Sequence, residues 1–263
     1  VGVMARTPSG TQEIYAKLVI GADGRHSTIR DRAKLPVRNL GAPFDVLWLR
    51  LPAEESDPHE PVFRIVGGQI FIMLYRGDYW QCAFLIPKDA FPQLKAEGIA
   101  KFQQRVAAVA GFARDRAHDV ENFDAIGLLT VAIDRVEEWA RPGLLLIGDA
   151  AHAMSPVGGI GINLAVQDAV AAANILAPIL VTRAPELADL QRVQKRRQWP
   201  TEATQWFQVQ VQNYLLAPTL KMTRTPKAPW PLRLLNRFPW LRQWPARFVA
   251  IGLQPEHVKT PRA

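Results

Sequence analysis

A short apolar run, Leu144 to Ile147, constrains the fold of this sequence more than any other feature. Pro142-Gly143 precedes the run and Gly148-Asp149 follows it. An uninterrupted apolar run of this length is typical of a strand covered on both faces, as in a parallel sheet flanked by helices. A loop rich in Gly and Ala comes next, and a long helix begins near Ile162. We therefore predict a strand–loop–helix unit of an α/β domain.

The loop of this unit, from Gly148 to Asn163, carries features suited to binding a ligand. Asp149 stands at the end of the buried strand, and glycines lead directly into the helix N-terminus. The free N–H groups and the positive end of the helix dipole favour an oxygen or a developing negative charge. The Asp149 carboxylate is placed to accept hydrogen bonds from ligand hydroxyls.

A second strand-to-helix loop lies near the beginning of the chain. Residues Val1 to Ile20 read as two strands around the turn Thr7–Gly10. The loop Gly21–Gly24 follows, and Ser27 occupies the N-cap position of a short helix that ends near Ala33. Taken alone, Asp23 in this loop is explained as a cap of that helix.

The middle of the chain alternates extended runs with turns and predicts an antiparallel sheet. The predicted strands are Val46–Leu51, Val62–Val66, Ile70–Tyr75, Tyr79–Ile86 and Ala125–Val136. A helix is predicted over Phe91–Val109, and a further helical stretch, polar and basic in its first half, is predicted over Glu186–Leu216. Aromatic and Met side chains of this sheet are either pocket or core residues, with core packing favoured: Phe71, Met73, Tyr75, Trp80 and Phe84.

The helix from Ile162 to Leu180 is apolar almost all round, so we expect protein to cover it on both sides. Polar residues interrupt the run to Val181, which argues against a transmembrane helix. These residues are Asn163, Gln167, Asp168, Asn174 and Pro178.

Together the two loops resemble the DG motif (Gly21 to Arg30) and the GD motif (Gly148 to Asn163) of FAD-dependent aromatic-ring monooxygenases, the class of para-hydroxybenzoate and ubiquinone-biosynthesis hydroxylases. Both motifs occur in the family's order, with a sheet-forming insert between them. The resemblance implies a mixed α/β (α+β) fold, with an incomplete Rossmann-like FAD-binding domain, an antiparallel-sheet substrate domain and C-terminal helices. The implied divisions are 1–43 with the DG motif, 44–137 as substrate domain, 138–182 with the GD motif, and 183–263 as a basic helical region.

The resemblance also implies roles for individual residues. Asp149 would bind the ribityl hydroxyls of FAD, Pro156 would lie beside the flavin ring near the reacting oxygen, and Asp23 would lie near the pyrophosphate. The full implied cofactor-binding set is Asp23, Gly24, Arg30, Gly148, Asp149, Pro156, Gly159, Gly161, Ile162 and Asn163. Within this set Arg30 supports the DG loop, and the backbone at Gly161, Ile162 and Asn163 faces the pyrimidine edge.

The activity that the resemblance implies is insertion of one oxygen atom from O2 into an aromatic, quinone-like or otherwise unsaturated substrate, with NADH or NADPH as co-substrate. Related flavin-dependent halogenases and reductases carry similar motifs and remain alternatives. No GxGxxG follows a strand in the 263 residues, although family members carry this fingerprint on the unit that grips the ADP half of FAD. We therefore expect a fragment or truncated product, and a non-catalytic remnant is a further alternative.

The charge distribution limits the possible binding partners, and the cysteine content indicates the cellular compartment. From Arg183 onward there are 14 Lys and Arg against four Asp and Glu, whereas residues 1–182 carry 18 against 20. The basic tail, with Trp199, Trp206, Trp230, Trp240 and Trp244 among Arg233, Arg237, Arg242 and Arg247, is either a helical cap, the favoured interpretation, or a peripheral membrane contact. No nucleic-acid partner is expected.

Cys82 is the single cysteine, which fits a reducing cytoplasm and excludes an internal disulfide. Scattered histidines predict no metal site, and His152 is expected to be structural.

Overall fold

The computed structural model describes residues 1–225, 234 and 237–259, which form two compact units. Of these residues, unit 1 comprises 1–41, 132–208 and 237–259, and unit 2 comprises 42–131, 209–225 and 234. The predicted mixture of helices with antiparallel sheet is confirmed. The predicted division into functional domains stays a prediction.

Short strands and a few long helices make up both units. In chain order the strands are β1 (Gly2–Thr7), β2 (Gly10–Tyr15), β3 (Val19–Gly21), β4 (Val37–Asn39), β5 (Phe44–Pro52), β6 (Val62–Val66), β7 (Gln69–Tyr75), β8 (Tyr79–Pro87), β9 (Gly127–Leu129), β10 (Asp134–Val136), β11 (Ala140–Arg141) and β12 (Leu144–Leu146). The α-helices are α1 (Thr28–Arg32), α2 (Phe91–Glu97), α3 (Ile99–Ala110), α4 (Gly161–Thr182), α5 (Leu187–Val211), α6 (Ala217–Leu220) and α7 (Gln243–Ile251).

Unit 1 contains the two strand-to-helix loops. The predicted hairpin is confirmed as the antiparallel pair β1–β2, and the predicted buried strand is confirmed as β12, which pairs with β3 in parallel. Ser27 caps α1 as predicted, since its hydroxyl accepts a hydrogen bond from the Arg30 N–H at 2.9 Å. Helices α4 and α5 cover this small sheet and bury Leu176 and Leu190 against it.

Unit 2 is built on a five-stranded sheet in the order β6-β7-β8-β5-β9, and every pairing in it is antiparallel, as predicted. Because side chains alternate between faces, Phe71 and its partner Phe84 point to one side, where α3 covers them with Phe102. Four of the five aromatic and Met candidates are core residues, and the fifth, Tyr75, packs against that core. Cys82 lies in the same core, and burial raises the pKa of its thiol to about 12.

Two predicted elements are interrupted. The helix predicted over Phe91–Val109 is two helices, because Gly98 adopts a positive φ of 86° that an α-helix does not allow. The strand predicted over Ala125–Val136 is also wrong as one element. Its first part pairs as β9 with β5 of unit 2, and its second pairs as β10 with β4 of unit 1, so the chain changes unit between them.

Helix α4 differs from the expectation that protein covers it on both sides. Ile162, Val166 and Val181 are 77, 56 and 84% exposed, so one apolar face of the helix is open. The apolar character of a helix does not ensure that elements are present to cover each of its faces. The segment Val157–Thr182 is long and apolar enough to cross a membrane, although core helices pass the same test. Asp168 within it is fully buried in ion pairs.

Candidate functional site

The parallel pairing of β3 with β12 brings the two motif loops to the same edge of the sheet. Leu146 lies opposite Gly21, and the Ile147 N–H donates to the Gly21 carbonyl at 3.0 Å. The two loops follow the carboxyl ends of β3 and β12, and open α/β sheets bind ligands at the carboxyl ends of their strands. Two segments that are far apart in the sequence therefore form one candidate site within unit 1.

Asp149 connects the two loops. Its Oδ2 lies 3.4 Å from Nη2 of Arg25, a residue 124 positions away in the DG motif. Both side chains are about one-quarter exposed, at 28 and 26%, so a ligand hydroxyl can reach the carboxylate. Nη1 of Arg25 is buried and makes no hydrogen bond within the part of the chain that the structure describes. Arg25, which no sequence pattern singled out as a site residue, offers a positive charge beside the candidate site.

Asp23 and Arg30 shape the DG loop. The Asp23 carboxylate accepts hydrogen bonds from the hydroxyl of the N-cap residue Ser27 and, at 3.1 Å, from the Ile29 N–H, so it supports the cap of α1. Burial alone would raise the pKa of Asp23, but these hydrogen bonds outweigh it and lower the pKa. Arg30, buried, donates to the Arg25 carbonyl at 2.8 Å and lies 3.4 Å from Asp134. The loop is thus held from inside, and Gly24 is at a positive φ of 86° within it.

Gly148 fixes the start of the GD loop. Its φ is 58°, and a Cβ there would lie 3.0 Å from the Ala165 Cβ of α4, so a larger residue would be strained and crowded. Its N–H donates to Asp168 at 3.0 Å. This glycine lets α4 approach the end of β12 closely, and Asp149 lies beside the first residue of the helix: a Cβ at Gly161 would be 4.0 Å from Asp149 Oδ1.

The remaining candidates follow the loop into α4. Pro156 precedes a single 3-10 turn, Val157–Gly159, and α4 begins at Gly161. Ile162 is exposed, so the first turn of α4 is accessible. The Asn163 side chain donates to the carbonyls of Val249 and Ala250, both at 3.1 Å.

A buried charge network, which was not predicted from the sequence, lies behind the GD loop. Asp168 of α4 accepts hydrogen bonds from Arg197 Nε at 3.0 Å and from the Gly148 N–H, and its Oδ2 is 2.6 Å from His152 Nε2. All three side chains are at most 1% exposed. Burial opposes the charge on Asp168, but His152, the Gly148 N–H and Arg197 together lower its pKa. His152 also packs on Trp139, which fits the structural role expected for it.

Side-chain amides of α5 form a second network that the sequence interpretation missed. They hydrogen-bond the main chain of the segment that carries β10 to β12 and the GD loop: Gln194 to Glu137 and Trp139, Gln205 to Asp134 and Ala153, and Gln208 to Ser155 and Val157. The polar character of α5 was predicted, but not the burial of the amides of Gln205 and Gln208. Their spacing along one helix face was the available signal.

The sequence matches a family model described as an FAD binding domain over residues 2–206. The 6-methylpretetramide 4-monooxygenase of Streptomyces rimosus is 35% identical over 251 residues, which cover 94% of this chain and 59% of that relative. The 3-demethoxyubiquinol 3-hydroxylase of Escherichia coli (strain K12) is 30% identical over 170 residues, 64% of this chain and 42% of that relative. The chain therefore spans well under two thirds of the length of these relatives.

A solved structure shows a similar fold. OxyS anhydrotetracycline hydroxylase from Streptomyces rimosus superposes with a TM-score of 0.68 at 22% identity, covering 94% of this chain and 48% of that one. At this level of identity the likeness concerns the fold alone.

In the part of the chain that the structure describes, His, Cys, Asp and Glu side chains form no group of three that could hold a metal ion.

Proposed function

The chain belongs to the family of FAD binding domains, and on this premise we propose that the protein is an FAD-dependent monooxygenase that hydroxylates an aromatic or quinone-like small molecule. NADH or NADPH is the proposed reductant. The observation that carries the proposal is the meeting of the two motif loops at one sheet edge, where Arg25 and Asp149 lie 3.4 Å apart. The family match and the relatives named as monooxygenases and hydroxylases support it.

The donors and acceptors at this edge fit FAD. Asp149 offers a partly exposed carboxylate to the ribityl hydroxyls, and Arg25 offers a positive charge to the pyrophosphate beside the loop formed by Asp23 and Gly24. Arg30 holds that loop. The first turn of α4 presents main-chain N–H groups at Gly161 and Ile162, and such groups favour the negative charge of a reduced flavin.

The bound flavin would supply the redox and oxygen chemistry, and the residues of this chain bind and orient it. Gly159 leaves space for the cofactor, since a Cβ there would meet no atom within 4 Å, and Gly148 lets α4 lie close to the loop. Pro156 borders the ring, and the Asn163 main chain completes the pyrimidine side. In unit 2, core packing occupies the face that carries Phe71 and Met73. We therefore assign the substrate wall to the opposite face of that sheet, where Trp48, Ile72 and Leu74 are half-buried.

Asp149→Ala tests the cofactor site. The variant loses charge-assisted hydrogen bonds to the ribityl chain, about 1.5–3 kcal/mol, which corresponds to an approximately 10- to 100-fold weaker FAD affinity. The measurement is a titration of the purified chain with FAD, followed by flavin fluorescence. The control is Asp115→Ala, which removes an exposed carboxylate in unit 2. Equal affinities of the two variants would show that Asp149 does not bind the cofactor, and absence of FAD binding by the unsubstituted chain would favour the non-catalytic alternative.

Substrate class is tested by turnover with FAD and NADH or NADPH. We propose compounds of the pretetramide type first, since the 35% identical relative is named for such a compound, and ubiquinol precursors second. The expected product carries one additional oxygen atom, measured by mass spectrometry in 18O-labelled O2. Incorporation of halide, or reduction without oxygen transfer, would favour the halogenase or reductase alternative.

We further propose that the exposed face of α5 contacts anionic lipid. Trp199 and Trp206 are 59 and 66% exposed and lie seven residues apart on this face. Arg192 and Lys195 line a shallow depression with Trp199, and aromatic and basic side chains together suit a headgroup region. Of the tail residues named above, Trp230 and Arg233 lie outside the described residues. Equal sedimentation of the chain with anionic and neutral vesicles would exclude this contact and leave the helical-cap interpretation.

A further inference from the structure

We propose that Gln208 is a positioning residue for the cofactor: its side-chain amide holds the main chain around Pro156 in the shape that the flavin ring requires. The inference rests on the proposed function, because it assigns Gln208 to the FAD site described above. Gln208 lies on α5, outside both motifs.

The contacts of Gln208 bracket Pro156 on both sides. Its Oε1 accepts a hydrogen bond from the Ser155 N–H at 3.1 Å, and its Nε2 donates to the carbonyls of Ser155 and Val157, both at 3.0 Å. The side chain is fully buried. Proline has no N–H of its own, so the groups on either side of it must fix its position. One buried amide satisfies three of those groups.

The loop needs this support because it lacks regular pairing. The segment from Ala153 to Pro156 lies in neither a helix nor a strand, and Gly158 and Gly159 after it adopt positive φ values of 78 and 65°. Glycine-rich chain has more conformational freedom to lose than other segments. Side-chain hydrogen bonds from a rigid helix therefore take the place of a backbone ladder.

Helix α5 is suited to this task because it is fixed to the other elements of the site. Arg197 of α5 pairs with Asp168 of α4 inside the unit. Gln205, three residues before Gln208, donates to the carbonyls of Asp134 and Ala153 at 2.8 and 3.2 Å. The helix thus holds the loop at its beginning through Gln205 and at Pro156 through Gln208.

The chemistry requires an amide at position 208. The site offers one N–H donor and two carbonyl acceptors, and a glutamine end group supplies one acceptor and two donors. A glutamate there would retain the acceptor and place a charge against two carbonyls. A methionine of similar length would fill the space and supply none of the three partners.

Gln208→Met is the test variant, and Gln191→Met, at an exposed position of the same helix, is its matched control. In the chain without flavin, we expect amide hydrogen exchange at Ser155 to be about tenfold faster or more in Gln208→Met, since the N–H has lost its acceptor. In flavin titrations, we expect dissociation constants about tenfold higher for both FAD and riboflavin, because Pro156 borders the ring that both share. The control should change neither value.

Each result decides the inference. Unchanged exchange at Ser155 would overturn it, and so would faster exchange with unchanged flavin affinity, since the loop shape would then not matter for the cofactor. If the unsubstituted chain binds neither flavin, the proposed function fails for this chain, and the role of Gln208 as a cofactor-positioning residue fails with it; the exchange measurement then reports only whether Gln208 holds the loop.

A second variant protects the test against misfolding of the first. Gln208→Glu keeps the acceptor for the Ser155 N–H, but it replaces the two donors with a carboxylate oxygen that faces the carbonyls of Ser155 and Val157. We expect it to weaken both flavins about tenfold while exchange at Ser155 stays slow. Affinities equal to those of the unsubstituted chain would overturn the inference.

Discussion

The interiors of the two units are held by different interactions. In unit 2 the sheet and α3 enclose an apolar core, in which Phe84 and Phe102 meet with ring centroids 5.5 Å apart. In unit 1 the centre behind the GD loop contains ionised and amide side chains, with Asp168, Arg197 and Gln208 all fully buried. The stability of the unit 2 core depends on how well apolar side chains fill its volume. The stability of the polar interior of unit 1 depends on the directions of its hydrogen bonds and ion pairs.

This difference bears on what each unit is suited to do. Apolar packing has no preferred direction and tolerates small changes of shape, so it makes a stable wall. Buried hydrogen bonds and ion pairs require particular partners at particular positions, and an unmatched group is costly. The loops that we propose to hold FAD are in unit 1, whose interior is held by directional hydrogen bonds and ion pairs.

The largest expected effect breaks the polar interior. Arg197→Met removes the partner of a buried carboxylate, so we expect the free energy of unfolding to fall by about 3–5 kcal/mol. Arg192→Met, on the same helix with a side chain 62% exposed, should cost no more than about 1 kcal/mol. Urea unfolding followed by circular dichroism measures both. Equal costs would show that the network in unit 1 does not differ from a surface ion pair.

A smaller effect is expected from the buried ion pair of Asp57 with Arg116 in unit 2. Hydrogen bonds from Arg116, at 2.6 and 2.8 Å, together with the Glu54 N–H and the Trp80 indole, hold the pKa of Asp57 well below its usual range. Asp57→Asn should lower the free energy of unfolding at pH 7 by about 1.5–3 kcal/mol.

The pH dependence gives this variant a second readout. A depressed pKa stabilises the fold above the unfolded-state value, about pH 4, and this contribution is lost as the pH falls toward the folded-state value. Asp57→Asn lacks the contribution, so its stability should decline less steeply below about pH 4. Parallel curves for the variant and the unsubstituted chain would contradict the assignment.

The smallest effect is expected inside the apolar core. Met73 is fully buried in unit 2, and Met73→Leu nearly conserves its volume, so we expect a cost below about 1.5 kcal/mol. Thermal unfolding of this variant beside Arg197→Met sharpens the comparison. A loss of more than 3 kcal/mol of unfolding free energy would mean that the unit 2 core requires particular side-chain shapes as strictly as the unit 1 interior requires particular polar partners.

Local patterns in the sequence predicted most of the elements and both motif loops. The apolar run before Gly148, the cap at Ser27 and the extended runs Ile70–Tyr75 and Tyr79–Ile86 each depend on neighbouring residues, and each is confirmed. The single helix predicted over Phe91–Val109 was wrong because Gly98 lies in the left-handed region. The helical spacing of apolar residues continues across a single glycine, so this spacing does not show that the helix is interrupted there.

The candidate site was predictable only in part. The motif residues stood out because carboxylates and glycines cluster where a strand ends and a helix begins. Arg25 was missed because its partner Asp149 is 124 residues away. Gln208 was missed because a glutamine on a polar helix has the same sequence pattern whether its amide faces water or a loop.

By itself, the sequence determined most of the strands and helices, the two loops that we propose to hold FAD, and the basic character of the tail, because these properties depend on residue type and short-range spacing. The tertiary structure alone decided that Asp168 and Arg197 are paired in the interior, that α5 supports the GD loop, and that one face of α4 is exposed. Burial and long-range hydrogen bonds depend on which distant segments meet, and the energy of a polar group is set by that meeting.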